Sequence, residues 1–72
     1  MKKKLRVGFS GVIEKIDEKN PAAKKLIDMG LTPNTHIYVK HIAPLGDPVV
    51  IVVRNYKLAV RKRDLDSVIF KD

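Results

Sequence analysis

The sequence predicts a mainly β fold: a small barrel of about five strands with one short α-helix between the first and second strands. Three observations predict it. Short β-branched runs, above all Val49-Val50-Ile51-Val52-Val53, favour extended backbone over helix. Turn residues separate these runs, most densely at Pro44-Leu45-Gly46-Asp47-Pro48. Only the segment after Asn20-Pro21 repeats its apolar residues with helical spacing. The strands are expected to close into one cylinder plugged by that helix.

Residues 5–17 form the first strand. Gly8 and Gly11 flank Phe9 and suggest bends or a bulge. Simple alternation puts Val12, Glu14 and Ile16 on one face and Ile13, Lys15 and Asp17 on the other. Asn20-Pro21 then opens the helix, with Asn20 as N-cap and Pro21 at the first helical position. Ala22, Leu26 and Met29 make an apolar stripe, with Ala23 and Ile27 beside them. Gly30 supplies the left-handed residue that stops the helix, and Leu31 folds back on its last turn. Asp17 and Glu18 are expected to favour the helix start electrostatically.

Thr32-Pro33-Asn34-Thr35 is turn chemistry, with Asn34 suited to positive φ. The second strand, Ile37 to Ala43, presents Ile37, Val39 and His41 on one face and Tyr38, Lys40 and Ile42 on the other. After the reversal at Pro44–Pro48, Val49 to Val53 is apolar on both faces. That strand is expected to be central, or covered on its second side. Asn55-Tyr56-Lys57 is a tight turn with Asn55 at positive φ. Leu58 to Val60 begin a strand that becomes basic at Arg61-Lys62-Arg63. Asp64 to Ser67 form a turn or single helical coil, and Val68-Ile69-Phe70 is the last short strand.

The 72 residues read as one domain, 1–72, with 1–4 a flexible basic tail. Hydrophobic residues make up 44% of the chain and charged residues 32%, a balance that favours a folded domain over disorder. Cysteine is absent, which excludes disulfides and thiolate zinc sites. Val49–Val53 is too short to span a bilayer, and no long apolar segment follows Lys2-Lys3-Lys4. The expected location is the cytoplasm, without direct membrane insertion. The net charge of +7 favours anionic partners: nucleic acid, an acidic protein surface or an anionic membrane face.

Catalysis has no candidate residues: no serine and histidine pair suggests a nucleophile with its base. The carboxylates Glu14, Asp17 and Glu18, and Asp64 with Asp66, lack the spacing of a cation-wrapping loop. His36 and His41, the two histidines, would project to opposite faces of a regular strand. No metal or cofactor site is therefore expected.

Arg54, Tyr56, Lys57 and Arg61-Lys62-Arg63 could make a nucleic-acid face, with Tyr38 and Tyr56 as the available stacking platforms. A small nucleic-acid-binding barrel is accordingly the alternative reading. The favoured partner surface is the reversal Pro44, Leu45, Gly46, Asp47 and Pro48, with Tyr56 and Arg61 beside it. Two prolines stiffen the reversal, so Leu45 is held outward at little ordering cost on binding. Whichever face of the valine strand the helix leaves uncovered is a second surface, for a partner or a homo-oligomer.

The chain resembles the FeoA family of small ferrous-iron transport accessory proteins. It is also similar to the barrel appended to some metal-dependent repressors. The matching residues are Gly8, Gly11, Leu26-Ile27-Asp28-Met29-Gly30-Leu31-Thr32-Pro33, Ala43-Pro44-Leu45-Gly46-Asp47-Pro48, Leu58-Ala59-Val60-Arg61-Lys62 and Val68-Ile69-Phe70. Asn34 and Asn55 stand where that family usually shows glycine, and Leu65 where alanine is usual. The resemblance implies an SH3-like β-barrel, no enzyme activity, and a role supporting FeoB, the membrane Fe(II) transporter with a cytoplasmic G domain. Such a partner would place the chain at the inner face of the membrane. Relation to the repressor barrel makes a metal-responsive module a third reading.

Overall fold

The computed structural model describes residues 5–71; the expected basic tail, 1–4, lies outside the described residues. The elements run β1 (Ser10–Ile16), α1 (Ala23–Asp28), β2 (His36–Ile42), β3 (Val49–Val53), β4 (Tyr56–Val60), α2 (Lys62–Leu65) and β5 (Val68–Phe70). The strands form one antiparallel sheet in the order β4-β3-β2-β1-β5. The five expected strands are present, and β3 lies between β2 and β4. The closed cylinder is not: β4 and β5 end the sheet, and no ladder joins them among the described residues. The second helix, α2, links them in the chain.

The core gathers Ile13, Ile16, Ala23, Leu26, Leu31, Ile37, Val39, Val49, Ile51, Val53, Val60, Leu65, Val68 and Phe70. Alternation delivers Val49, Ile51 and Val53 from β3, a choice between its two apolar faces that the sequence leaves open. It does not deliver β1 or the end of β2. In the β1 pairing with β5, the register shifts between Ile13 and Lys15, so Glu14 is an extra residue. Ile13 and Ile16 therefore both point inward, whereas simple alternation separates them. A second shift, between Val39 and His41 against β3, makes Lys40 extra. That bulge returns Ile42 to the core and leaves His41 exposed.

Helix α1 is shorter than expected and starts later. Asn20 does not cap it; its side-chain oxygen accepts a bond from the Ala22 N–H at 2.8 Å and stabilises the turn that precedes the helix. Pro21 belongs to that turn. The Asp17 carboxylate also closes a local turn, accepting from the Lys19 N–H at 3.0 Å, and no acidic residue lies in the helix's first turn. The buried stripe is Ala23 and Leu26, with Met29 partly buried, while Ile27 is 40% exposed. The helix stop follows the sequence closely. Gly30 at φ 103° donates to the Ile27 carbonyl, and Leu31 donates to that of Leu26, a Schellman arrangement. Leu31 is fully buried.

The turn before β2 closes with the Thr35 N–H on the Thr32 carbonyl and Asn34 at φ 71°. Between β3 and β4 the turn is Arg54-Asn55, at φ 48° and 74°, one residue earlier than expected. Tyr56 and Lys57 are thus strand residues. Two successive positive φ values match the right-handed twist of a two-residue hairpin.

Candidate docking surface

The reversal between β2 and β3 is held at three points. Ala43 N–H donates to the Pro48 carbonyl at 3.1 Å, and Gly46 N–H to that of Ala43 at 2.8 Å. Gly46 lies at φ 92°, where a side chain would be strained although nothing would meet its Cβ. Asp47 spans outward: its carboxylate accepts the N–H of Lys62, the first residue of α2. That bond satisfies one of the helix's orphan donors. The Asp47–Pro48 peptide is cis. At the tip, Leu45 is 98% exposed, the most exposed large apolar side chain among the described residues.

Beside the reversal, Pro48, Arg61, Ala59, Met29, Lys25 and Asp64 line a shallow groove between α1 and α2. Arg61 is exposed at the N-cap of α2. The structure therefore gathers Pro44–Pro48 and Arg61 at one end of the molecule. It does not bring Tyr56 there. Tyr56 sits at the opposite end of β4, about 13 Å of strand away. Its hydroxyl donates to the Met29 carbonyl, tying β4 to the C-terminus of α1. The sequence carried no signal for Lys25 and Met29 as groove residues, because only the packing of α1 beside β4 places them there.

The basic residues do not make one face. Arg61 and Arg63 belong to the α2 end, whereas the Arg54 guanidinium donates to the Thr32 and Thr35 hydroxyls at 3.2 and 3.1 Å. With Tyr56 engaged by Met29, the expected pairing of basic residues with two tyrosine platforms is dispersed. Ser10 Oγ contacts His36 Nε2, and the Lys40 bulge puts His36 and His41 on the same outer side of β2 instead of on opposite faces. No group of three or more potential metal ligands occurs among the described residues. No helix there is long and apolar enough to cross a membrane.

A curled antiparallel sheet of five strands with two short helices defines a small SH3-like fold. A FeoA protein complexed with zinc from Stenotrophomonas maltophilia, described as an SH3 domain protein, superposes with a TM-score of 0.79. That likeness covers 94% of this chain and 85% of the other at 19% identity, and it is one of fold. The family model for the FeoA domain matches residues 3–71, and the chain belongs to the FeoA family. A FeoA-like protein from Clostridium acetobutylicum superposes with a TM-score of 0.87 at 26% identity, covering 94% of this chain and 79% of that one. In sequence, the chain is 30% identical over 60 residues to a fusion of Fe(2+) transport protein A with the Fe(2+) transporter FeoB from Porphyromonas gingivalis. The match covers 83% of this chain and 7% of the fusion's length. The family is thereby tied to ferrous iron transport.

Proposed function

We propose that the chain is a non-catalytic accessory protein of ferrous iron uptake. It docks on a FeoB-type membrane transporter from the cytoplasmic side and modulates its assembly or activity. One observation carries this reading: in the Porphyromonas gingivalis relative, a FeoA part and the FeoB transporter belong to one chain. A module fused to its partner in one organism works beside that partner at high effective concentration, and the separate chain needs a surface for the same association. The reversal supplies one. Leu45 is a preformed apolar anchor at its tip, and Pro48 at its end lines the α1–α2 groove together with Arg61.

The test is co-purification with the full-length transporter and, separately, with its soluble G domain. Binding is expected to survive simultaneous substitution of His36 and His41 and to weaken with Leu45→Asp. Loss on the histidine substitutions with retention in Leu45→Asp would replace docking at the reversal by metal sensing.

A further inference from the structure

A second surface lies away from the reversal tip, on the outer side of the sheet. Register places Ser10, Tyr38, Val52 and Lys57 in one cross-strand row and His41, Val50 and Ala59 in the next. Tyr38 is 41% exposed, Val50 and Val52 are half-buried, and Lys40 and Lys57 are exposed. A shallow depression lined by Pro33, His36, Tyr38, Val52, Arg54 and Asn55 opens on the same side.

The charge here is one-signed. β2, β3 and β4 contain no aspartate or glutamate. Arg54 is held by two threonine hydroxyls, which orient its guanidinium without neutralising it. Lys40, the extra residue of the β2 bulge, and Lys57 are both exposed on this side. Hydrogen-bond contact with Lys40, then repulsion by its charge, holds the Lys57 pKa below the ordinary 10.5. Two neighbouring ammonium groups repel each other, and a carboxylate between them turns that repulsion into attraction.

We propose that this face binds an acidic, extended segment of a partner protein, with carboxylates on Lys40, Lys57 and Arg54 and an apolar side chain on Tyr38 and Val52. In an extended segment, every second side chain faces the same way at about 7 Å intervals. A segment whose acidic and apolar residues alternate at every second position therefore presents both kinds of side chain to the lysines and the valines from one face. Tyr38 is the one large aromatic ring on this face besides the imidazoles of His36 and His41, whereas single-stranded nucleic acid calls for several stacking platforms along a basic groove. A second copy of this chain, itself at net charge +7, would meet the face with repulsion.

The experiment is an amide-shift titration of the whole chain with a synthetic peptide of about ten residues in which Glu and Val alternate at every second position, with Ser between them. Shifts are expected at Tyr38, Lys40, Val50, Val52 and Lys57, and a peptide with Lys in place of Glu should give none. Lys40→Glu with Lys57→Glu should weaken binding about tenfold or more. Lys40→Gln with Lys57→Gln provides a neutral variant, expected to weaken it less. Leu45→Asp should leave it unchanged, which separates this surface from the transporter-docking one. The proposal is overturned if the shifts centre on Arg61–Arg63 or if both double variants bind as the parent does. It is equally overturned if an oligothymidylate of the same length binds this face more tightly, or if the face proves to be a homodimer interface by sedimentation.

Discussion

Gly11 lies against two phenyl rings. A Cβ there would sit 2.8 Å from Phe9 Cζ and 3.0 Å from Phe70 Cδ1, and the rings themselves meet edge to face at 5.0 Å. Its role is space for packing, which differs from the bend that strand glycines suggest in sequence. Gly11→Ala is expected to lower unfolding free energy by about 1–3 kcal/mol through overpacking, read by urea titration. Gly30 combines positive φ with the Tyr56 hydroxyl 2.7 Å from a Cβ position. Tyr56→Phe removes the bond to Met29 and should cost about 1 kcal/mol in the same assay, without affecting transporter binding. Asn34 and Asn55 at positive φ were legible because asparagine tolerates that conformation. Arg54 was not, since nothing in its chemistry marks it; its φ of 48° follows from the hairpin and its hold on two threonines.

At the scale of elements, strand existence was legible and strand parity was not. β3 obeys a period of two throughout because it pairs without interruption on the β4 side. β1 and β2 each carry a bulge, and a bulge reverses inside and outside for every residue beyond it. No residue type announces Glu14 or Lys40 as the extra one. Helix α2 was partly hidden because Arg61-Lys62-Arg63 reads as a basic strand end. Its start is stabilised by Asp47, fifteen positions away in sequence, a tie no local pattern reveals. The Lys40 bulge also makes a pH prediction. A lysine whose folded pKa is lowered destabilises the fold while charged, and that cost disappears as pH rises through its folded value to the ordinary 10.5. Stability of the parent relative to Lys40→Gln should therefore be lower at neutral pH and converge near pH 10.5, measured by paired thermal melts at low salt.

For the whole molecule, the fold separates an apolar tip from a basic sheet face. The tip was visible in the sequence as two prolines around Leu45, and the sequence also groups Arg61 with it; the removal of Tyr56 from that group required the three-dimensional arrangement. Because Leu45 is 98% exposed, Leu45→Asp should leave folding stability within about 0.5 kcal/mol of the parent. The most direct measurement is the dissociation constant of the parent and of Leu45→Asp for the FeoB-type transporter in detergent, each with its melting temperature. Docking through the reversal predicts an increase of about tenfold or more at an unchanged melting temperature. Equal dissociation constants for the two proteins would contradict it.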